Sequence, residues 1–239
     1  MFINKPNKSR HSKLVTPTYE LYEYEAIEFL KFVPTESIDL VITDPPYESL
    51  EKHRAIGTTT RLKNSKASSN AWFKIFPNYL FPELLHEIYR ILKKDSHFYL
   101  FCDQETAFII KPEAESAGFK FWKPLIWDKK KIGMGYHYRA RYEFILFFEK
   151  GKRKLSNLSI PDILEWPRIH RGYPTEKPPE LSEILIQQSS SNNELICDPF
   201  MGSCSVGVAA MRHNRRFLGA DISKEAFKIS KKRLQSLES

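Results

Sequence analysis

Hydrophobic positions along the chain follow two alternating patterns, one with the spacing of strands and one with the spacing of helices. Apolar runs of strand length alternate with segments in which apolar residues recur every three or four positions. The alternation predicts an α/β fold with a mostly parallel sheet and helices on both faces. The strand pattern covers residues 18–24, 38–43, 97–102, 119–127, 142–150, 194–199 and 216–222. The helical pattern covers residues 25–33, 81–92, part of 104–117, 178–188, 204–213 and 224–237.

The turn after the strand at 38–43 carries two consecutive prolines, in the sequence VITDPPY. Pro45 and Pro46 fix φ and have no amide hydrogen, so the segment should leave the sheet as a stiff, extended projection. We expect its carbonyl groups to point outward without partners, between the Asp44 carboxylate and an exposed Tyr47 ring. Such a turn suits a planar group that carries an amine. In parallel sheets, ligands bind beyond the carboxyl ends of the strands, where this turn lies.

The strand at 194–199 leads into a second unusual turn, CDPFMGSCS, which precedes a helix of small residues. Gly202 and the neighbouring serines would let a nucleotide-type ligand approach the backbone closely. Asp221 lies 23 residues beyond Asp198, where dinucleotide-binding folds place an acid that binds ribose hydroxyls. The spacing therefore suggests a cofactor that contains adenosine. The turn does not match G-x-G-x-x-G, because Cys204 replaces the second glycine.

The chain has 239 residues, 41% of them hydrophobic, which is enough for one domain with a sizeable core. No apolar run approaches the roughly 20 residues of a membrane-spanning helix, and the first residues lack the apolar region of a signal peptide. We therefore expect a single domain over residues 1–239 and a cytoplasmic location. Cys102, Cys197 and Cys204 show no metal-ligand spacing, so we expect reduced core thiols and no metal.

The net charge is +8 and the isoelectric point is about 9.2, which suggests a nucleic-acid partner. Basic residues cluster at 51–70, 128–141 and 149–157, in stretches without helical or strand periodicity. Solvated loops have a similar composition, so the stretches indicate a nucleic-acid surface only together with the motifs.

Three motifs in a fixed order resemble the amino-group DNA methyltransferases that use S-adenosylmethionine. They are D-P-P-Y at 44–47, Y-P-T-E-K-P at 173–178 before a helix, and D-P-F-M-G-S at 198–203. The order, with the catalytic motif first, is that of the β group, and the resemblance covers residues 18–237. It implies a Rossmann-like methyltransferase fold and S-adenosylmethionine as cofactor. The chain departs from the family's usual residues at Tyr173, Glu176 and Cys204.

By this resemblance the D-P-P-Y turn carries the chemistry. The exocyclic amine of adenine is a poor nucleophile because its lone pair is delocalised into the ring. The Asp44 carboxylate and the Pro45 carbonyl would each accept a hydrogen bond from the amine and direct its lone pair at the methyl group. Tyr47 would stack on a base that is flipped out of the duplex. The predicted catalytic residues are Asp44, Pro45, Pro46 and Tyr47.

The resemblance also implies a cofactor site formed by the second turn and the Y-P-T-E-K-P segment. The turn would line the methionine and ribose side of the cofactor, and Asp221 would bind the ribose hydroxyls. Thr175 and Lys177 would reach the cofactor's carboxylate, although a lysine at a helix start can equally be solvated. The predicted cofactor-binding residues are Asp198, Pro199, Phe200, Gly202, Ser203, Asp221, Thr175 and Lys177.

Double-stranded DNA is the expected substrate. The interval 152–172, where this family usually carries its recognition segment, holds only 21 residues and is too short for a separate domain. We therefore expect small recognition elements in loops 48–72, 128–141 and 151–172. Their basic side chains would contact phosphates or guanine edges, and an aromatic ring would fill the gap left by a flipped base. The predicted DNA-binding residues are Arg54, Arg61, Lys63, Tyr136, Arg139 and Arg141.

Several alternatives stay open. Asp44 favours adenine, because the cytosine enzymes of this family usually carry serine there, but cytosine in DNA and adenine in RNA are rival targets. Motif order argues against methylation of protein glutamine. The intact D-P-P-Y turn opposes a non-catalytic nucleic-acid-binding module, and the missing glycine pattern opposes a nicotinamide-dependent oxidoreductase. A cognate restriction endonuclease as partner, and a monomeric or homodimeric state, also stay open.

Overall fold

The computed structural model describes residues 2–3, 12–49, 74–133, 138–169 and 176–238. Within these residues, one sheet of nine strands is packed between six helices. The strands are β1 (Lys13–Val15), β2 (Tyr19–Glu23), β3 (Ile38–Thr43), β4 (Leu92–Cys102), β5 (Lys120–Asp128), β6 (Tyr142–Lys150), β7 (Ile163–Glu165), β8 (Leu195–Asp198) and β9 (Arg216–Asp221). The helices are α1 (Ala26–Phe32), α2 (Phe81–Ile91), α3 (Gln104–Ala117), α4 (Pro179–Ser189), α5 (Ser205–Arg212) and α6 (Lys224–Gln235).

The strands lie in the order β1-β2-β9-β8-β3-β4-β6-β5-β7. The adjacent strands β2, β9, β8, β3 and β4 are parallel, whereas β6 runs antiparallel between β4 and β5. From β3 the chain moves outward through β4, and it later returns on the other side of β3 as β8. The carboxyl ends of β3 and β8 therefore border the crevice in which open α/β sheets bind ligands. The predicted α/β class and mostly parallel sheet are confirmed.

Each face of the sheet is covered by its own hydrophobic core. Alternate side chains of β3 enter the two cores: Val41 packs with residues of α1, α2 and α3, whereas Leu40 and Ile42 pack with residues of α4, α5 and α6. A strand that is buried on both faces has apolar residues at successive positions, which explains the continuous run in this strand. Helices cover both faces, as the sequence predicts.

The structure differs from the predicted elements in two respects. β4 begins at Leu92 and not at the predicted residue 97, because polar residues interrupt its apolar pattern where its register with β3 shifts. β1 and β7 are three-residue strands, too short to show a hydrophobic period. No helix in the described ranges is long and apolar enough to cross a membrane.

Candidate active site

A cavity of about 660 Å³ opens at the carboxyl ends of β3, β4 and β8. The D-P-P-Y turn lines one part of its wall and the turn at 198–203 lines another, so the fold brings the two motifs together. Residues at the facing ends of β5 and β6 complete the side of the cavity next to the D-P-P-Y turn.

The D-P-P-Y turn is more buried than the sequence predicts. Tyr47 is 7% exposed and forms a β-bridge with Phe76, so its ring packs in the core and does not project into solvent. The Phe76 amide donates to the Pro46 carbonyl at 2.7 Å. The expected exposed tyrosine and the expected unpartnered carbonyl at Pro46 are therefore wrong, because residues 74–77 pack against the turn. From the described residues, no amide donates to the Pro45 carbonyl.

Four charged side chains meet beside this turn, and we call Asp44, Lys129, Glu143 and Lys177 the charge cluster. The Lys177 ammonium contacts Oδ2 of Asp44 and lies 3.2 Å from Oε2 of Glu143. The other carboxylate oxygen of Glu143 accepts a hydrogen bond from the Lys129 ammonium at 2.5 Å. Negative and positive groups therefore alternate along a line that ends at the D-P-P-Y turn.

Burial and ion pairing act in opposite directions on this cluster. Burial raises the pKa of Asp44, and Lys177 offsets part of that rise. Burial also disfavours ionised Glu143, but Lys177 and Lys129 outweigh it and lower the Glu143 pKa to about 2. Burial acts to lower the pKa of Lys177, but the two carboxylates outweigh it and leave that pKa above its ordinary value. Glu143 and Lys177 are therefore charged at neutral pH, whereas the charge of Asp44 depends on Lys177.

Asp198 links the two turns. It ends β8, is 3% exposed, and its Oδ1 accepts hydrogen bonds from the Thr43 hydroxyl at 2.8 Å and the Phe200 amide at 3.0 Å. Burial raises the pKa of Asp198 to about 7, against the lowering effect of these two hydrogen bonds. Because Thr43 is the last residue of β3, the Asp198 carboxylate holds the second turn next to Asp44.

Asp221 shapes the second turn from the end of β9. Its two carboxylate oxygens accept hydrogen bonds from the amides of Gly202 at 3.0 Å and Ser223 at 2.8 Å. Gly202 has a φ of 48°, and Cys204 has a φ of 66°. Both values lie in the left-handed region, which glycine adopts without steric cost. The family's usual residue at position 204 is glycine, which would avoid the backbone strain that Cys204 has there.

Arg233 of α6 connects the second turn to the segment that precedes α4. Its guanidinium donates to the Ser203 carbonyl at 2.7 Å and pairs with the Glu176 carboxylate at 2.7 Å. A glutamine at position 176, the family's usual residue, could accept a hydrogen bond from Arg233 but could not form this ion pair. Sequence analysis missed Arg233, because it lies among other basic residues in an amphipathic helix.

The cavity wall fits the expected cofactor. Asp221 lines the cavity, and each of its oxygens retains a lone pair that could accept from a ribose hydroxyl. Ser182 Oγ is buried in the wall and has no hydrogen-bond partner in the part of the chain that the structure describes. Phe200 and Gly202 line the same space and offer an aromatic face and a backbone without a side chain. A nucleoside with polar substituents would satisfy these groups.

Only two of the predicted DNA-binding residues fall within the described ranges. Arg139 is exposed, whereas Arg141 donates two hydrogen bonds to the Asp128 carboxylate, at 2.7 and 2.5 Å. The ion pair with Asp128 would compete with any phosphate for Arg141. Arg54, Arg61, Lys63 and Tyr136 lie outside the described residues, as does the predicted cofactor residue Thr175.

Sequence analysis also missed Lys129 and Glu143. Lys129 belongs to a basic stretch, and Glu143 is one charged residue at the start of an apolar strand. Only the antiparallel pairing of β5 with β6 brings the two side chains together beside Asp44. The one sequence signal for this pair is the Glu143 carboxylate within an apolar strand pattern, because a buried carboxylate usually has a charged partner.

Comparisons with known proteins identify the family. The sequence profile of the N6/N4 DNA methylases matches residues 38–163 and 154–232, and the chain belongs to this family. The Type II methyltransferase M.HpaI of Haemophilus parainfluenzae is 28% identical, over 88% of this chain and 72% of that protein. The DNA adenine methyltransferase YhdJ of Escherichia coli K12 is 26% identical, over 88% of this chain and 80% of that protein.

Solved structures share the fold. The complex of M1.HpyAVI with S-adenosylmethionine has a TM-score of 0.66 at 22% identity, over 90% of this chain and 99% of that chain. The cytosine-N4-specific PvuII DNA methyltransferase has a TM-score of 0.70 at 19% identity, over 92% of this chain and 87% of that chain. The protein is thus a DNA methyltransferase of the N6/N4 amino-methyltransferase family. The family uses S-adenosylmethionine, so the predicted cofactor is confirmed.

Proposed function

We propose that this enzyme transfers a methyl group to the 6-amino group of an adenine that is flipped out of duplex DNA. The observation that carries the proposal is the shared cavity. The Asp44 carboxylate and the Pro45 carbonyl, two acceptors in sequence, line the same space as Gly202 and Asp221, which belong to the cofactor side. One cavity can therefore hold the amine and the methyl donor together.

The catalytic turn would act by positioning and polarising the amine. Bound S-adenosylmethionine supplies an electrophilic methyl group on a positively charged sulfur. The Asp44 carboxylate accepts one hydrogen of the base amine and the Pro45 carbonyl accepts the other. These two bonds draw the nitrogen lone pair out of conjugation with the ring and orient it for in-line attack. The amine nitrogen would gain the methyl group as the sulfur departs as a neutral thioether, and it would shed one proton, which the ionised Asp44 carboxylate could accept.

Tyr47 would serve this reaction from a buried position. Its ring lines the cavity and packs with Phe76, while burial raises the pKa of its hydroxyl and keeps it neutral. A neutral, immobile aromatic wall can stack on a flipped base and offset part of the few kcal/mol that unstacking costs. The stacking role assigned to Tyr47 stays part of the proposal.

Two observations support adenine as the target base. The chain carries Asp44 at the head of the motif, where the cytosine enzymes of the family usually carry serine. YhdJ, a relative with 26% identity, is named as a DNA adenine methyltransferase. The PvuII enzyme shares the fold and is cytosine-N4-specific, so cytosine is the outcome that would correct this part of the proposal.

Duplex DNA is the proposed form of the substrate, held by small basic elements on a single domain. Arg139 is one of the exposed basic residues of the loop between β5 and β6, and its neighbour Ala140 lines the cavity. M.HpaI is named as a Type II methyltransferase, which supports site-specific action. The expected cytoplasmic location stays a prediction.

The proposal is tested by mapping modified bases in DNA from cells that lack other DNA methyltransferases and express either this protein or its Asp44→Ala variant. We expect N6-methyladenine in one fixed sequence context with the unaltered protein and none with the variant. N4-methylcytosine in place of N6-methyladenine would overturn the adenine assignment. Unmodified DNA together with methylated RNA would overturn DNA as the substrate.

A further inference from the structure

The Lys177 side chain is enclosed on several sides. It is 12% exposed, and its ammonium contacts Asp44 and approaches Glu143. The ring centroids of Phe101 and Trp127 lie 5.4 and 5.8 Å from Nζ. A solvated lysine at a helix start would lack these partners, so the ammonium has a defined position within the cavity wall.

The partners of Lys177 are themselves held in place. Glu143 is held through its other oxygen by Lys129, whose Nζ lies 5.2 Å from the centroid of Trp127. The Trp127 indole donates to the Trp166 carbonyl at 2.8 Å, which fixes the ring that both lysines share. Lys177 therefore belongs to an ordered unit that ends at Asp44, on the base side of the cavity.

We propose that Lys177 and Glu143 are positioning residues for Asp44, an inference that rests on the proposed function. Lys177 holds Oδ2 of Asp44 and leaves Oδ1 to accept the base amine. Lys177 keeps Asp44 ionised, and Glu143 holds the ammonium from the other side, so that Asp44 is correctly oriented. This role differs from the expected contact of Lys177 with the cofactor's carboxylate, and the two roles predict different defects.

Other ionisable groups also face Asp44, and their contributions to the pH–rate profile must be distinguished from that of Lys177. Tyr47 lies in the same turn, Cys102 ends β4, and Asp198 ends β8. Burial raises the pKa of Tyr47 and Cys102, so both are neutral. Asp198, with a pKa of about 7, titrates near neutral pH, and its pKa is raised by burial and in part by the Asp44 charge, so the shift of the acid limb is always taken as the difference between a variant and the unaltered enzyme.

The test uses Lys177→Met, which keeps an unbranched side chain and removes the charge. Single-turnover methylation of duplex DNA at saturating cofactor should fall about tenfold to hundredfold at neutral pH. The acid limb of the pH–rate profile should move to higher pH by about one to three units, because Asp44 loses its nearest cation. Cofactor affinity, measured by calorimetry, should change by less than about threefold.

The control variant is Lys123→Met. Lys123 pairs with Asp162 on the surface and is half exposed, and it should keep the rate, the pH profile and the cofactor affinity. An unmoved acid limb in folded Lys177→Met would overturn the inference. So would a large loss of cofactor affinity with a normal rate at saturating cofactor, which would make Lys177 a cofactor ligand. Failure of the proposed function is a separate result, in which the unaltered enzyme itself methylates no DNA.

Glu143→Gln provides an independent test, and it decides the matter if Lys177→Met does not fold. The substitution removes a negative charge that faces Asp44, so the acid limb should move to lower pH, opposite to the shift in Lys177→Met. The rate at neutral pH should still fall, by about tenfold, because the Lys177 ammonium loses one of its two carboxylates. A Glu143→Gln enzyme with the rate and pH profile of the unaltered enzyme would overturn the inference.

Discussion

Two groups of buried polar side chains lie toward the two ends of β6 and differ in how completely their atoms are satisfied. At one end is the charge cluster. At the other is a neutral network of His97, Tyr99 and Ser189, in which the Ser189 hydroxyl lies 2.7 Å from both His97 Nδ1 and the Tyr99 hydroxyl. His97 Nε2 lies 3.0 Å from the Arg153 carbonyl. A carbonyl can only accept, so Nε2 carries the hydrogen, Nδ1 accepts from Ser189, and Ser189 accepts from Tyr99.

The neutral network is closed, whereas the charge cluster is open toward the cavity. Every hydrogen-bonding atom of the imidazole has a partner, and burial lowers the pKa of His97 to about 4, against the raising effects of the Arg153 carbonyl and the nearby Glu149 carboxylate. In the charge cluster, Glu143 Oε2 is close to Lys177 but forms no hydrogen bond within the described residues, and Ser182 Oγ in the same cavity wall also lacks one. A fully satisfied buried network rigidifies a fold, whereas a buried polar atom in a cavity wall that lacks a protein partner is a candidate contact for a ligand.

The largest expected effect is on the methylation rate and concerns Asp44 of the charge cluster. Asp44→Ala removes an acceptor from the reacting amine, so single-turnover methylation should fall by about a hundredfold to a thousandfold, as when one preorganised electrostatic contact is lost. Asp44→Asn keeps an acceptor oxygen without the charge, so its methylation rate should lie between that of the unaltered enzyme and that of Asp44→Ala. The rates are measured with an adenine-containing duplex, after each variant is shown to be folded. Equal rates for Asp44→Asn and the unaltered enzyme would remove the need for a charge.

A second expected effect concerns binding without chemistry. Asp221→Ala removes the acceptor proposed for the ribose hydroxyls and should weaken S-adenosylmethionine binding by roughly 1.5–3 kcal/mol, as measured by calorimetry. The variant also removes the partners of the Gly202 and Ser223 amides, so it is compared with Asp221→Asn, which keeps one of the two acceptor oxygens and should weaken binding less. Unchanged affinity in a folded Asp221→Ala would exclude this residue from the cofactor site.

A third expected effect concerns the neutral network, which should make the free energy of unfolding depend on pH. The pKa of His97 is about 4 in the fold and about 6.5 in the unfolded chain, so the unfolded chain binds more protons between these values. The contribution of His97 is therefore fully present above pH 6.5 or so and is lost as the pH falls toward 4. It amounts to about 1.4 kcal/mol for each unit between the two pKa values.

The check is denaturant unfolding across this pH range for the unaltered protein and for His97→Gln, which keeps polar atoms but cannot titrate. The free energy of unfolding of the variant should depend less on pH in that interval. Equal pH dependence in the two proteins would show that His97 is not held neutral.

The smallest expected effect concerns the DNA surface. Arg139→Ala should reduce the slope of log affinity against log salt by about 0.9 if this exposed side chain neutralises one phosphate. Arg141→Ala should change the slope less, because Arg141 is already paired with Asp128. Binding is measured with one duplex over a series of salt concentrations. A larger change for Arg141 than for Arg139 would show that the ion pair opens when DNA binds.

The contrast also explains which features could be predicted from sequence. The D-P-P-Y and D-P-F-M-G-S turns follow mostly apolar strands. Parallel strands bring their carboxyl ends to one edge of the sheet, so the local pattern predicts that the two turns lie together. Lys129 and Glu143 come together only through the antiparallel return of β6, which the residues themselves do not encode locally. Tyr47 is buried because Phe76, which lies beyond the segment 50–73, packs against it. The local sequences around the two residues, DPPY at 44–47 and KIFP at 74–77, give no sign of this pairing.

The most direct test measures rate and stability on the same preparations of Asp44→Ala and Ser189→Ala. Ser189→Ala leaves Tyr99 and His97 without their shared partner and should lower the free energy of unfolding by about 1–3 kcal/mol, with little change in single-turnover rate per folded molecule. Asp44→Ala should lose the rate and stay within about 1 kcal/mol of the unaltered protein, because burial disfavours the ionised Asp44 carboxylate and Lys177 keeps Glu143 as its other partner. An Asp44→Ala enzyme that methylates adenine at the unaltered rate would contradict the account.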